Sequence, residues 1–191
     1  MQIVFATNNE HKIREIQAVL PASIHILQLA DIGCTQDLPE THDTIEENSQ
    51  EKARFVHNYF QVNCFAEDTG LEVEFLNGEP GVHSARYAGE ERNNQKNIAL
   101  LLHNLRDQTN RKAHFKTVIT LIINSIEKQF TGILEGTIGY EPRGEGGFGY
   151  DPVFVLADGR TLAELSLEEK GKVSHRGKAT EGLVEYLRQF S

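Results

Sequence analysis

The chain of 191 residues contains little cysteine. Its two cysteines, Cys34 and Cys64, are too few for a disulfide scaffold, and neither belongs to a C-x-x-C pair. Disulfide-poor chains are typical of reducing compartments. We therefore expect a cytoplasmic location.

Long apolar runs are also missing. The N-terminal apolar run, residues 3–6, is far too short for a signal peptide or a membrane span. No later segment approaches the roughly 18 uncharged apolar residues that a membrane helix needs. We therefore expect no membrane partner.

Positive charge is scarce, and standard nucleotide motifs are absent. The sequence has 19 Lys and Arg against 28 Asp and Glu, which gives a formal net charge of −9. Nucleic-acid-binding domains are usually basic, so this balance argues against a nucleic-acid partner. It still allows a local cationic cluster that holds a small anion.

Standard nucleotide-binding motifs do not occur in the sequence. It contains neither the Walker motif G-x-x-x-x-G-K-[ST] nor the kinase segments H-R-D and D-F-G.

The remaining pattern predicts an α/β fold. With 39% hydrophobic and 25% charged residues, the length suits one globular domain, residues 1–191. Strand-like and helix-like segments alternate along the chain. Predicted strands are residues 2–6, 24–29, 64–76, 112–123, 128–138 and 152–156, the third with an interruption at 68–70 and the fourth and fifth joined by a turn at 124–125. Predicted helices start at Asn8 or Asn9, at the capping box of Thr44 and Glu47, at residue 93 and after Ser174.

A glycine-rich segment contains Gly144, Gly146 and Gly149 in G-x-G-x-x-G spacing. A dinucleotide-binding turn needs a strand before this motif and a helix after it. Here Pro152 disfavours helical backbone at Asp151, and a β-like run follows. We therefore reject a dinucleotide turn. The aromatic residues of this segment predict instead a stacking surface for a planar base.

Two predicted helices begin with cations. His11 and Lys12 lie in the first turn of one helix, and His175 and Arg176 directly follow Ser174 in the other. Cations are unfavourable at the positive end of a helix dipole. A bound anion would resolve both conflicts, although solvated surface charge is the alternative. The pattern predicts two anion-binding helix starts.

Acidic residues supply the complement. Glu67 and Asp68 interrupt an apolar strand, where we expect a turn, and Glu40 lies in a predicted loop. Mg²⁺ prefers carboxylate oxygens, one or two per ion, with water and substrate phosphates completing its shell. A helix-starting role explains Glu46 and Glu47 well. A turn-forming role explains Glu67 and Asp68 less well, because a turn needs only one such residue. Together with the cations, these residues indicate a nucleotide–Mg²⁺ site.

Five segments, in order, resemble the inosine triphosphatase family, the non-standard purine nucleoside triphosphate pyrophosphatases (XTP/dITP diphosphatases). They are ATNN with Lys12 and Glu15, EDTGL at 67–71, PG and SARYAG at 80–89, GFGYDP with Phe154, and SHRGKA at 174–179. The resemblance implies an α/β fold with an elongated mixed central sheet, flanking helices and two lobes around a substrate cleft. It also implies a homodimer that cleanses the nucleotide pool by Mg²⁺-dependent hydrolysis of ITP, dITP and XTP to the monophosphate and pyrophosphate.

The resemblance also assigns roles to individual residues. Asp68 is implied as the catalytic residue that orients or deprotonates the attacking water, and Glu40 and Asp68 as the metal ligands. The implied triphosphate contacts are Thr7, Asn8, Asn9, Glu10, His11, Lys12 and Lys52. Substrate contact is also implied for Thr69, a base-pocket wall for Phe148, Gly149, Tyr150 and Asp151, and closure over the base for Lys170, His175 and Arg176.

Base selection has a physical account on this assignment. Arg176 and His175 can donate to O6 and N7 of a 6-oxo purine, whereas adenine presents an amino donor at that position. Two alternatives stay open. The first is a Maf-like nucleotide pyrophosphatase with another base preference, which the S-H-R and F-G-Y-D segments oppose. The second is an inactive nucleotide-binding regulator, which the presence of Asp68, Glu40 and Lys12 opposes.

Overall fold

The computed structural model describes residues 1–190. The strands are β1 (Gln2–Phe5), β2 (His25–Leu27), β3 (Cys64–Val73), β4 (Pro80–Gly81), β5 (Lys112–Ile123), β6 (Ile126–Ile138) and β7 (Phe154–Val155). The helices are α1 (Glu10–Gln17), α2 (Ile45–Phe60), α3 (Asn94–Asn104), α4 (Leu167–Val173) and α5 (His175–Leu187). No helix in this range is long and apolar enough to cross a membrane.

All these strands join one mixed sheet. Its order is β2-β1-β3-β5-β6-β7, and β4 pairs with β3 outside this path. The pairs β1–β2 and β1–β3 are parallel, whereas the pairs from β3 to β7 are antiparallel. The predicted elongated mixed sheet with flanking helices is therefore confirmed.

The long β5–β6 hairpin turns where its sequence indicates. Asn124 and Ser125 both have positive φ, 49° and 62°. Two-residue hairpin turns favour this backbone because its twist matches that of the flanking strands. As a result β6 begins at Ile126, two residues before the predicted start.

The pleat of the sheet sorts apolar side chains onto two faces. One face carries Val4 and Ala66 against α2, and the other carries Phe5 and Phe65 against α1 and α5. A third apolar cluster surrounds α3 at the far end of the sheet and includes Phe115, Leu71 and Tyr150. Residues of this third cluster and of the α2 face line the same cavity. The expected two lobes around a cleft follow from this arrangement.

The predicted interruption of the third strand is wrong. β3 runs without a break through residues 67–70. A Cβ added at Gly70 would lie 2.5 Å from the carbonyl oxygen of Gly81 and 2.9 Å from Cδ1 of Ile45. Gly70 therefore serves the close approach of β4 and α2 rather than a turn.

Helix starts are mostly where their caps predict. The side chains of Asn9, Thr44, Asn93 and Ser174 each accept backbone N–H bonds at the start of their helices. Helix α4 was not predicted, although Ser166 and Glu169 form a capping box before it. Its segment, LEEKGKV, has no apolar face of helical period, and its end residues are exposed.

Candidate active site

The site lies along an open edge of β3. Strand β1 pairs with β3 only as far as Phe65, and β4 pairs with it from Leu71 onward. Between these points no described strand covers that edge. A cavity of about 450 Å³ lies there, lined by Asp68, Thr69 and Gly70 among others. Small-molecule sites typically measure roughly 300–1,000 Å³.

Glu67 and Asp68 point to opposite faces of the sheet because successive side chains of a strand alternate. Asp68 meets α2, where the Lys52 ammonium lies 2.8 Å from Asp68 Oδ1 and 2.8 Å from Glu40 Oε1. Glu67 meets α5, where Arg176 Nε donates to Glu67 Oε2 at 2.8 Å. Two adjacent carboxylates thus belong to two different groups. We call Lys52, Glu40 and Asp68 the Lys52 cluster.

The second group is a series of alternating charges that crosses the interior. Lys12 Nζ lies 3.0 Å from Glu67 Oε1, and Arg176 joins Glu67 to Glu15, which accepts from Arg176 Nη1 at 2.5 Å. Lys170 then contacts Glu15 at 2.5 Å and Asp151 at 2.5 Å. We call this group the ion-pair series; its members are Lys12, Glu67, Arg176, Glu15, Lys170 and Asp151.

The ion-pair series explains why α5 begins with cations. Although burial opposes ionisation of Glu67, Arg176 and Lys12 hold the pKa of its carboxyl well below the usual range. Against the same burial, Arg176 and Lys170 lower the pKa of Glu15. Carboxylates of β3 and α1 therefore neutralise the guanidinium at the α5 start. The bound anion predicted for this helix start is not needed.

The start of α1 presents polar groups to the cavity. Asn9 Oδ1 accepts from the backbone N–H groups of His11 and Lys12 at 3.0 and 3.3 Å, and Thr7 Oγ1 accepts from Asn9 N at 3.1 Å. The cavity lining here consists of Thr7, Asn8, Asn9, His11 and Lys12. Glu10 is outside it, because its carboxylate accepts from Arg14 at 3.1 Å on the exposed side of the helix.

The glycine-rich segment forms a loop, and no helix follows it directly. Asp151 Oδ2 accepts from Phe148 N at 2.8 Å, and Gly147 has a φ of 69°. A Cβ at Gly147 would collide with the Asp151 carboxylate. Asp151 is 2% exposed, so its carboxylate holds this loop and Lys170 together. The rejection of a dinucleotide turn is confirmed.

The Phe148 ring lies among cationic and aromatic neighbours. The His11 ring stacks on it with centroids 5.0 Å apart and an interplanar angle of 17°. Lys170 Nζ and Arg176 Cζ lie 5.1 and 5.4 Å from its centroid. Tyr150, in the same loop, is anchored by its hydroxyl, which donates to Ser84 O at 2.8 Å. The aromatic surface expected from the sequence therefore lines the same cavity as the start of α1.

His175 lines this cavity and contains an unpaired buried polar atom. Its ring is buried against Phe115, with centroids 4.5 Å apart, and its Nδ1 has no hydrogen-bond partner within residues 1–190. Burial, with the nearby Arg176 and Lys170 charges, lowers its pKa well below 6.5, so the ring is neutral. An unsatisfied buried polar group costs about 1–3 kcal/mol. The folded protein carries this cost beside the cavity.

Sequence reasoning assigned no role to three residues at the site. Arg86 Nη2 lies 3.5 Å from Glu40 Oε2, and Arg92 lines the cavity in a loop where its own φ is 51°. Glu15 joins Lys170 to Arg176. Neither arginine lies in a segment with helical or strand periodicity, so periodicity could not identify them. For Arg86 the signal was the S-A-R-Y-A-G segment of the family resemblance; Arg92 had none. The other predicted site residues, apart from Glu10, all line the cavity.

The acidic groups fit a metal that needs few protein ligands. Within the described range, no group of three or more His, Cys, Asp or Glu side chains is arranged to hold a metal ion. Glu40 and Asp68 nevertheless direct one oxygen each at a single cation, the Lys52 ammonium. Mg²⁺ is usually bound by one or two carboxylates together with waters and substrate phosphates. This pair therefore suits Mg²⁺ better than an ion that requires a full protein cage.

The fold and the site together define a nucleotide-binding type of protein. The features that define it are a mixed α/β fold, a cavity at an open strand edge, helix-start amides, lysines and an aromatic loop. A profile of the Ham1 family matches residues 3–186. The chain therefore belongs to the Ham1 family, and the resemblance to the inosine triphosphatase family is confirmed. This match favours the family assignment over a Maf-like protein.

Close relatives span the whole chain. A dITP/XTP pyrophosphatase of Flavobacterium psychrophilum is 56% identical over 189 residues, covering 98% of this chain and 100% of the relative. A protein of the same name from Porphyromonas gingivalis is 50% identical and covers 97% of each chain. Among solved structures, the Staphylococcus aureus Ham1 protein has a TM-score of 0.90 and 38% identity, with full coverage of both chains. A HAM1 protein from Coxiella burnetii has a TM-score of 0.90 and 37% identity, with 99% coverage of each.

Proposed function

We propose that this protein hydrolyses non-standard purine nucleoside triphosphates, namely ITP, dITP and XTP, to the monophosphate and pyrophosphate. Relatives named dITP/XTP pyrophosphatases at 50–56% identity support this reaction. The observation that carries the proposal is a single cavity lined both by the polar and cationic α1 start and by the aromatic loop with the His175 ring. A purine base that carries a chain of phosphates matches these two sets of residues.

The residues that we assign to the phosphates are polar or cationic. Thr7, Asn8 and Asn9 offer neutral hydrogen-bonding groups, and the α1 dipole favours negative charge at the same place. Lys12 and Lys52 add two ammonium groups that can each donate to phosphate oxygens. The part of the cavity that these residues line therefore suits the triphosphate.

Asp68 is the group we assign to the chemical step. Burial raises the pKa of its carboxyl, although Lys52 and Lys12 oppose this shift. A raised pKa makes a carboxylate a better proton acceptor near neutral pH. Asp68 would orient a water molecule and accept its proton as the water attacks the α-phosphorus. The bond from that phosphorus to the bridging oxygen then breaks, and pyrophosphate leaves.

Glu40 and Asp68 would hold Mg²⁺ on this proposal, because their oxygens already converge on one cation. When bound, the ion supplies charge neutralisation for the phosphates and polarises the phosphoryl oxygen. Lys12, Lys52 and Arg86 provide the remaining positive charge around the leaving pyrophosphate. Preorganised charge of this kind supplies most of the catalysis in phosphoryl transfer.

Base selection rests mainly on His175. Arg176 already donates to Glu67, Glu15 and Thr69, so among its bonds only one N–H of Nη1 is left for a base. A neutral His175 keeps one ring N–H, which can donate to O6 or N7 of a 6-oxo purine. Adenine would place its 6-amino donor against these donors, at a cost of about 1–3 kcal/mol per unsatisfied group.

The proposal extends to the organisation of the protein. Residues 1–191 would form one pyrophosphatase domain that acts as a cytoplasmic homodimer and cleanses the nucleotide pool. The single sheet that contains every strand of the described range supports the domain assignment. Light scattering coupled to size-exclusion chromatography measures the oligomeric state directly.

A substrate panel tests the reaction. Purified protein and Mg²⁺ are incubated with ITP, dITP, XTP, GTP and ATP, and pyrophosphate is measured separately from orthophosphate. We expect pyrophosphate as the first product and much slower turnover of ATP. Orthophosphate as the first product would contradict cleavage between the α and β phosphates. Nucleotide binding without turnover would instead identify an inactive regulator.

A further inference from the structure

The Lys52 ammonium lies between Glu40 and Asp68, the two carboxylates that would hold a metal ion on the proposed function. We propose that Lys52 is a resident counter-cation, which must leave these carboxylates when metal binds and finds its new partner in the nucleotide phosphates. Metal and nucleotide would therefore bind cooperatively. This inference rests on the proposed function for the identity of both ligands.

The geometry places one ammonium between two acceptors. Lys52 Nζ lies 2.8 Å from Glu40 Oε1 and 2.8 Å from Asp68 Oδ1, and its side chain is 5% exposed. These distances are those of short charge-assisted hydrogen bonds. A metal ion bound by the same two oxygens would come into contact with the ammonium. The two cations therefore compete for one position.

The charges around the cluster leave little attraction for an added cation while Lys52 stays. Arg86 lies 3.5 Å from the second oxygen of Glu40, and Lys12 lines the same cavity. Lys52 would thus have to withdraw before a divalent ion experiences the full charge of the carboxylates. Its flexible four-carbon side chain allows such a movement.

Withdrawal of Lys52 is costly unless a new anion receives it. A buried ammonium without a partner is strongly unfavourable. Lys52 lines the same cavity as Thr7, Asn8 and Lys12, which we assign to the triphosphate. Nucleotide phosphates therefore provide the missing partner. By thermodynamic reciprocity, nucleotide then tightens metal binding by the same factor as metal tightens nucleotide binding.

The first measurement uses the unaltered protein. Calorimetry with Mg²⁺ alone, and electron paramagnetic resonance with Mn²⁺ alone, give metal affinity without nucleotide and with α,β-methylene-ITP, which lacks the cleavable bridge. We expect the analogue to tighten metal binding on the order of tenfold or more, after correction for metal bound by free analogue. Equal affinity in both conditions overturns the proposal.

The second measurement removes the competing cation. We expect Lys52→Met to bind Mn²⁺ on the order of tenfold more tightly than wild type without nucleotide, and to lose most of the nucleotide effect. Lys52→Arg keeps the charge and should retain weak metal binding. Lys116→Met removes the partner of Glu46 on the surface and is the matched control, with unchanged metal affinity. A Lys52→Met protein that binds Mn²⁺ no more tightly than wild type refutes the exchange.

The outcomes separate this inference from the proposed reaction. All binding measurements proceed without turnover, so they do not require pyrophosphate release. If coupling is present but ITP yields no pyrophosphate, the proposed reaction fails and the exchange stands. If Lys52→Met does not fold, Lys52→Gln takes its place with the same expected result.

Discussion

The approach of α5 to β6 at Gly132 gives the sharpest structural prediction. A Cβ added at Gly132 would lie 2.6 Å from Ala179 N and 3.0 Å from the carbonyl carbon of His175, and closer still to the oxygen of that carbonyl. All three are backbone atoms of α5, whose first residue is His175. No flexible side chain can move aside, so Gly132→Ala must displace the helix itself.

The size of the effect follows from these distances. Restoring an ordinary contact of 3.4 Å to all three atoms requires the start of α5 to move by more than about 1 Å. Overpacking of this kind costs about 1–3 kcal/mol of unfolding free energy. The same movement displaces His175 and Arg176, and a misplacement of about 1 Å at a catalytic site can cost about 100-fold in rate. We therefore expect lower stability together with a roughly 100-fold lower kcat/KM for ITP.

Urea unfolding and initial-rate kinetics measure the two quantities. Gly182→Ala is the matched control, because this glycine also lies at the interface of α5 with β6. Its added Cβ would meet only the Phe130 side chain, at 3.2–3.7 Å, and alanine in a helix interior gains about 0.5–1 kcal/mol over glycine. The control should keep wild-type activity. A Gly132→Ala protein with wild-type stability and kcat/KM would show that α5 is not held at this distance.

Three further substitutions test the site. Asp68→Asn should lower kcat by about 10²–10⁴ while nucleotide binding by calorimetry persists, and an active variant would refute the assigned role of Asp68. Arg176→Met leaves Glu67 and Glu15 buried without their guanidinium, so its unfolding free energy in urea should fall by about 3–5 kcal/mol; a loss below about 1 kcal/mol would contradict the buried pairing. His175 is neutral when folded but is protonated in the unfolded chain below pH 6.5, so wild-type stability should fall as pH decreases through that value, by up to about 1.4 kcal/mol per pH unit from this residue. His175→Gln should lack this part of the pH dependence in urea unfolding, and parallel pH profiles would show that His175 is protonated in the fold.

Local signals in the sequence were sufficient for the helix starts and for the hairpin. Asn9, Thr44 and Ser174 cap their helices through bonds to N–H groups two or three residues away, so the pattern is contained in a short segment. The turn at Asn124 and Ser125 likewise depends on its own backbone. The family resemblance supplied the residues that line the cavity. Each of its segments is short and continuous in sequence, so it can be recognised without knowledge of the fold.

The interior charges could not be predicted in the same way. Glu67 was expected at a turn because an acidic residue inside an apolar strand has no local compensation. Its partner Arg176 lies 109 positions later in the chain. The Arg176 guanidinium was expected to face a substrate, yet most of its bonds go to carboxylates, including that of Glu15, 161 positions away. Such pairings become visible only when the fold brings distant elements together.

The ion-pair series has a consequence for synthesis of the protein on the ribosome. Strands β1 to β6 end at Ile138, so the sheet can pair before the segment with Lys170 and Arg176 leaves the exit tunnel. Until then Glu15 and Glu67 have only Lys12 as a cationic partner in the ion-pair series. Helices α4 and α5 therefore complete the neutralisation of these buried carboxylates after the sheet has formed, and the cavity wall that they supply is added late in folding.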